Sequence, residues 1–220
     1  MIAVLAAVLF GLAFFQRRKA VYYAATHPTT VFGSSIVGFA LLGAGAYYFV
    51  SDLIEAESVR WLALGVFVFS ILSAIYFLME AGNFSSRKIG RAMPLFALAP
   101  ILLTGFRLLG DFLRHSSMPM ASSGAYHILG LASLLLFFLA EGKVAVGTGN
   151  AFVYTLFGYL SILFSLVYAL PNLVIHAYGP LPFDYLALYS AVDLTMVLYV
   201  VVRLAVLPCR AVPAEEPAAE

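Results

Sequence analysis

The chain has 220 residues, of which 63% are hydrophobic and only 10% are charged. Its formal net charge is +1 at pH 7, and no basic patch with interleaved aromatic residues occurs. A composition this apolar excludes an ordinary water-soluble domain, and the charge pattern gives no basis for a nucleic-acid partner. We therefore expect the lipid bilayer to be the main environment of the protein.

Seven long apolar stretches fill almost the whole chain. The first, Ile2 to Phe15, is short for a span, because a bilayer core of about 30 Å needs about 20 apolar residues as helix. A half-buried interfacial segment is the alternative for it. The continuous apolar runs lack the alternation of barrel strands, so the fold class predicted is all-α, a polytopic membrane helical bundle of seven transmembrane helices. The other six spans are 31–54, 60–80, 93–114, 124–141, 151–175 and 184–207.

The Lys and Arg residues predict the orientation of the bundle. Arg17, Arg18 and Lys19 follow the first apolar stretch instead of preceding it, which favours an uncleaved span over a secretory signal. Because short loops rich in Lys and Arg stay in the cytoplasm, the N-terminus is predicted outside and the C-terminus inside, in the plasma membrane. We expect one transmembrane domain over 1–210 and a disordered acidic tail over 211–220. The predicted inner side carries Arg17, Arg18, Lys19, Arg87, Lys88, Arg91, Lys143, Arg203 and Arg210, and the outer side carries Arg60 and Arg114.

An internal similarity suggests a repeated pair of helices. A shift of 61 residues places the third and fourth spans on the fifth and sixth, with nine identities over the 47 positions from Phe69 to His115. Among them, Glu80 matches Glu141 and His115 matches His176. Parallel two-helix repeats of this kind occur in transporters, whose binding sites often lie at the repeat interface. The alternative is coincidence in a sequence of low diversity.

Two charged residues lie deep within predicted spans. Asp193 lies about 14 Å inward from Asp184, and Arg107 lies about 12 Å inward from His115, at 1.5 Å per residue. Because each would cost about 2.5–3.5 kcal/mol if left in lipid, both should face the interior at a similar depth. Asp111 is four residues from Arg107 and can pair with it on the same helix face. The sequence therefore predicts a polar cluster of Arg107, Asp111 and Asp193.

This cluster has two interpretations. In one, it is a buried pair that fixes helix packing and binds nothing, or Asp193 is protonated and bonded to a nearby Tyr or Ser. In the other, it lines a cavity that opens to the outside. In the second interpretation Tyr168 and Asn172 join Arg107, Asp111 and Asp193 as predicted ligand-binding residues.

Other polar residues lie near the ends of the predicted spans. On the outer side, His127 and His176 are interpreted as interfacial side chains that reach water. On the inner side, Glu80 and Glu141 are interpreted as interfacial charges with solvated head groups. No two histidines lie three or four residues apart on one helix, and no paired-cysteine pattern occurs, so we expect no metal and no cofactor.

Three function classes remain. The favoured one is a small-solute or ion binding and transport bundle with its polar cluster in the outer half. The alternative is a membrane sensor or assembly subunit that acts through a partner membrane protein. An intramembrane hydrolase is less favoured, because the histidines are scattered over loops and span ends, and we expect no enzymatic activity. A transporter this small is expected to need a second copy or a partner to enclose a path.

Overall fold

The computed structural model describes residues 2–14, 28–54, 60–86, 93–115, 122–146, 148–178 and 185–206. Every secondary-structure element in these ranges is a helix, in agreement with the predicted all-α class. The four-residue α4 is separated from α5 by Ala97 alone, so the two form one interrupted segment. The helices are α1 (Ile2–Phe14), α2 (Pro28–Ile54), α3 (Arg60–Ser86), α4 (Met93–Phe96), α5 (Leu98–His115), α6 (Ser122–Ala145), α7 (Ala151–Tyr178) and α8 (Tyr185–Val206).

Five of the described helices are long and apolar enough to cross a membrane, which supports an integral, multi-pass membrane protein. They are α2, α3, α6, α7 and α8. The short α1 and the more polar α5 do not meet that criterion, so the predicted count of seven spans stays a prediction. The tail 211–220 and most of the basic loop residues lie outside the described residues, and the predicted orientation is therefore also untested.

Six helices form a closed ring. Each of α2, α3, α5, α6, α7 and α8 packs against the next, and α8 packs back against α2. Outside the ring, α1 contacts α7, where Phe10 and Phe14 both meet Phe152 edge to face. A charged side chain on the inner face of such a ring is shielded from acyl chains by the neighbouring helices.

Helix α5 carries polar side chains on its buried face and large apolar side chains on its exposed face, the reverse of a helix in a water-soluble protein. Its buried residues include Leu103, Thr104 and Arg107, whereas its exposed side chains are large and apolar. Thr104 satisfies its hydroxyl within the helix by donating to the Pro100 carbonyl oxygen at 2.8 Å. Polar groups thus face the ring interior and apolar groups face outward. The exposed apolar side chains are Leu98, Leu102, Leu109, Phe112 and Leu113.

The middle of the ring is filled by an aromatic layer of Phe77 on α3, Phe138 on α6 and Tyr199 on α8. Their ring centroids are 4.9–6.4 Å apart, and each side chain is at most 1% exposed. Aromatic pairs at this spacing stabilise by about 0.5–1.5 kcal/mol beyond the area that they bury. The layer separates two groups of buried charged residues, one towards each end of the ring.

Candidate functional site

The first group of charged residues is centred on Arg107 of α5 and Asp193 of α8. Arg107 Nη1 lies 2.7 Å from Asp193 Oδ1, and both residues are about 95% buried. The guanidinium also lies over the ring of Tyr189, 4.7 Å from its centroid. Among the described residues, Arg107 Nε and Nη2 have no hydrogen-bond partner. The arginine therefore holds one carboxylate electrostatically and keeps the N–H groups of two buried nitrogens unused.

His127 of α6 lies between two carboxylates. Its Nδ1 is 3.0 Å from Asp111 Oδ2, and its Nε2 is 3.4 Å from Asp193 Oδ2. The Asp111 side chain is 19% exposed, whereas that of Asp193 is only 5% exposed. The chain Asp111–His127–Asp193 thus leads from a partly exposed carboxylate to a buried one. We call Arg107, Asp111, His127 and Asp193 the Arg107 cluster.

Tyr168 of α7 fixes the plane of the imidazole in this cluster. The rings of His127 and Tyr168 stack with centroids 4.1 Å apart and an interplanar angle of 16°. One turn further along α7, Asn172 lies close enough to hydrogen-bond the Tyr168 hydroxyl, and its Nδ2 is 3.4 Å from Ser190 Oγ. The aromatic and amide side chains of α7 therefore line one side of the Arg107 cluster.

The structure brings together all five residues that the sequence suggested as ligand-binding. Arg107 pairs with Asp193, Asp111 contacts His127, Tyr168 stacks on that histidine, and Asn172 lies beside Tyr168. Their binding of a ligand stays a prediction, because a direct Arg107–Asp193 pair is also what the packing interpretation expects.

His127 was missed as a member of the cluster. The sequence suggested an interfacial side chain, but the residue is 91% buried between α5 and α8 carboxylates. No sequence signal indicated this burial, because one carboxylate comes from the preceding helix α5 and the other from α8, and no local spacing shows that both helices meet α6 at this level. His176 is different, since its Nδ1 contacts the Asn172 carbonyl oxygen of its own helix at 2.8 Å.

The second group of charged residues lies towards the other end of α3, α6 and α8. The Tyr199 hydroxyl is 3.0 Å from Glu80 Oε2 and 2.7 Å from Glu141 Oε1. Arg203 forms an ion pair with Glu80 through Nη2 and lies 2.8 Å from Glu141 Oε1 through Nε. Ser34 of α2 donates its hydroxyl to Glu80 Oε2 at 2.9 Å. We call these five residues the Glu80 cluster; Tyr199 contributes its hydroxyl to it, while the ring of the same residue belongs to the aromatic layer.

The interpretation of Glu80 and Glu141 as solvated interfacial charges is wrong. They are only 4% and 2% exposed, and their carboxylates meet on Tyr199 and Arg203 inside the ring. The physical reason is that α3 and α6 continue to Ser86 and Ala145, beyond the apolar runs that suggested their ends at 80 and 141. The glutamates therefore lie within helices and not at their ends.

The two clusters lie on one face of α8. Asp193 and Arg203 are ten residues apart, about 15 Å along a helix axis, with Met196 and Tyr199 buried between them. Three buried turns of one helix thus connect both clusters across the aromatic layer.

Each cluster contains two carboxylates and one guanidinium. In the Arg107 cluster, a protonated His127 would balance the charges. In the Glu80 cluster no such base is among the five residues, and Glu141 Oε2 has no hydrogen-bond partner among the described residues. Within the described ranges, no three His, Cys, Asp or Glu side chains are grouped so that they could hold a metal ion.

Comparisons of the chain with protein-family models, with curated proteins and with solved structures found no match.

Proposed function

We propose that this protein is a small transport bundle that binds an ion or small solute and uses the proton as its coupling ion. The observation that carries the proposal is the Asp111–His127–Asp193 chain, held inside the helix ring against Arg107. Chains of carboxylates and histidines within membrane helices are the typical groups of proton relays. Histidine suits this role because it exchanges protons near neutral pH and can use both ring nitrogens.

The geometry favours movement of a proton from Asp111 towards Asp193. Asp111 is the more exposed carboxylate, and it contacts His127 at 3.0 Å. The step from His127 Nε2 to Asp193 is longer, at 3.4 Å, so a small shift of the stacked imidazole would make or break it. Arg107 keeps Asp193 paired while no proton is bound. Protonation of Asp193 would release Arg107, whose unused N–H groups on Nε and Nη2 suit the carboxylate or phosphate of an anionic solute.

The aromatic layer favours a mechanism of alternating access and argues against an open channel. Phe77, Phe138 and Tyr199 fill the ring between the two clusters, and all three are buried. A solute or hydrated ion held at the Arg107 cluster would be stopped there until the helices move. Transport through such a layer requires two states, each open to one side.

The proposal includes the predicted topology of seven spans, an outside N-terminus and a plasma-membrane location. Helix α5 has 18 residues, about 27 Å of helix, which is close to the thickness of a bilayer core. It stands in the ring between α3 and α6, and its outward side chains are apolar. These features support α5 as the predicted span 93–114, although it is more polar than the other five helices of the ring.

A second candidate function is acid–base hydrolysis within the membrane. The observation that favours it is the Asp111–His127 contact of 3.0 Å, which resembles the way a carboxylate orients a catalytic imidazole. His127 Nε2 has no aligned hydrogen-bond partner among the described residues. We place this candidate second, because Asp193 lies beside that nitrogen where a water or substrate would have to enter.

Proton flux into liposomes tests the first proposal. Purified protein would be reconstituted with an internal pH dye, and a potassium diffusion potential would drive protons inward, alone and with a panel of organic anions outside. We expect flux in the wild type and a loss of at least tenfold in His127→Gln and Asp193→Asn. The matched control is His176→Gln, which changes the same residue type at the same end of the ring and should retain the flux.

The same variants separate the two candidates. Ester and phospholipid cleavage by the purified protein, lost in His127→Gln and retained in His176→Gln, would favour hydrolysis if no proton flux is found. Equal flux in wild type, His127→Gln and protein-free liposomes would contradict the transport proposal.

A further inference from the structure

We propose that the Glu80 cluster is a proton-binding site, in which Glu141 carries one proton at neutral pH. Nothing in the proposed relay requires this site, since it lies beyond the aromatic layer from the Arg107 cluster. The inference stands on the number of hydrogens that the oxygen–oxygen contacts of the cluster need.

Three short oxygen–oxygen contacts connect the cluster. Ser34 to Glu80 is 2.9 Å, Tyr199 to Glu80 is 3.0 Å, and Tyr199 to Glu141 is 2.7 Å. Each contact of this length needs a hydrogen between its two oxygens, because ionised carboxylates only accept. The hydroxyls of Ser34 and Tyr199 supply one hydrogen each. The third hydrogen must therefore come from a carboxyl group.

Glu141 is the carboxyl that fits. Both glutamates contact Arg203, but Glu80 also receives the Ser34 hydroxyl, so Glu80 is the one held as a carboxylate. Tyr199 can then donate to Glu80, and a protonated Glu141 Oε1 donates to the Tyr199 oxygen. Arg203 Nε, 2.9 Å from that same oxygen, is satisfied by it as well. The single Nε hydrogen is shared with Glu141 Oε1, which lies 2.8 Å from Nε. Each of the three oxygen–oxygen contacts then has one donor and one acceptor.

The remaining oxygen of Glu141 agrees with this assignment. Glu141 is 98% buried, and its Oε2 has no hydrogen-bond partner among the described residues. An unpartnered carboxylate oxygen in such a place would retain much of a negative charge without solvation, whereas the carbonyl oxygen of a neutral acid would not. The unpartnered atom is thus explained by a neutral Glu141.

Charge balance points the same way. Among the described residues, the ionisable groups in contact with Glu141 are Tyr199 and Arg203 from α8, with Glu80 from α3 on the same two side chains and Tyr76 of α3 near Tyr199. From α2 the cluster receives the Ser34 hydroxyl. Two carboxylates against one guanidinium leave one negative charge, and buried groups of this kind neutralise by binding a proton. Two carboxylates that share one proton are the familiar form of this solution.

A metal cation is a poorer occupant than a proton. It would need several oxygen ligands at once, whereas the guanidinium of Arg203 already occupies one oxygen of each carboxylate. A proton needs only the single contact between Glu141 and Tyr199, which at 2.7 Å has the usual length of an O–H···O bond.

Infrared spectroscopy of the reconstituted protein tests the site directly. A protonated carboxylic acid has a C=O stretching band separate from the bands of carboxylates. At pH 7 we expect such a band in the wild type, and we expect it to shift in protein labelled with ¹³C-glutamate and to persist in unlabelled Asp193→Asn. The band should be lost completely in Glu141→Gln. The labelled wild type gives the answer even if a variant does not fold.

Two results would overturn the proposal. One is a wild-type spectrum at pH 7 without a glutamate C=O band. The other is loss of that band on adding Na⁺ or K⁺ at constant pH and ionic strength, which would assign the site to a metal cation. Because the readout is a bond vibration and not transport, a glutamate band without proton flux would refute only the proposed function, and flux without the band would refute only the Glu141 site.

Discussion

Removal of either partner of the Arg107–Asp193 pair should strongly destabilise the protein. In Asp193→Leu the guanidinium of Arg107, 95% buried, would lose its carboxylate partner and keep the Tyr189 ring at 4.7 Å. Breaking a buried ion pair in this way costs about 3–5 kcal/mol. The cation–π contact, about 2 kcal/mol or less, is already present in the wild type and therefore offsets none of this loss. Arg107→Met should cost less than Asp193→Leu, because a protonated His127 still lies 3.4 Å from Asp193.

The double variant Arg107→Met/Asp193→Leu shows whether the ion pair serves transport or only helix packing. With both charges removed, Asp111 and a protonated His127 still balance each other, so we expect Arg107→Met/Asp193→Leu to recover most of the stability. The assay is reversible unfolding in mixed detergent micelles, analysed as a double-mutant cycle. Losses below about 1 kcal/mol in both single variants would refute a desolvated pair. A stable double variant with wild-type proton flux would show that the pair serves packing alone.

Two further substitutions probe other contacts of the ring. A Cβ at Gly38 would lie 2.8 Å from Leu78 Cγ, so we expect Gly38→Leu to destabilise the protein by about 1–3 kcal/mol in the same unfolding assay. The control is Gly43→Leu, which should not destabilise, because a Cβ at Gly43 meets nothing within 4 Å. Equal stability of the two variants would contradict the packing of α2 against α3. Tyr199→Phe should lower the free energy of unfolding by about 1–3 kcal/mol, because it removes the hydroxyl that contacts both Glu80 and Glu141. The control is Tyr178→Phe, at an exposed position. Equal stability of the two variants would mean that the Tyr199 hydroxyl does not stabilise the fold.

The sequence predicted the helices well because length and apolarity act locally. The predicted span 151–175 corresponds to Ala151–Tyr178, and 184–207 corresponds to Tyr185–Val206. It also predicted that Arg107 and Asp193 would meet, since equal depth and the cost of charge in lipid leave few other partners. The contact that the structure shows for Asp111 is with His127, and the local pairing suggested for Asp111 with Arg107 stays a prediction.

Tertiary neighbours limited the rest of the prediction. The Glu80 cluster needs α2, α3, α6 and α8 to meet at one level, and no local pattern states which helices are adjacent in a ring. The internal similarity was a signal for this cluster, because the 61-residue shift matches Glu80 with Glu141 and Phe77 with Phe138. Both matched pairs lie around Tyr199 in the structure, while the repeat itself stays a prediction.

The central claim is that a lipid-embedded ring encloses the charged clusters, and α5 tests it most directly because it carries Arg107 and Asp111. Spin labels at Leu102 and Leu109, each more than 40% exposed on the outer face of α5, would be introduced as cysteines in a Cys209→Ser background. In reconstituted protein we expect both labels to collide readily with oxygen and hardly with a water-soluble nickel complex. Ready collision with the nickel complex at both positions would place α5 in water and contradict the claim.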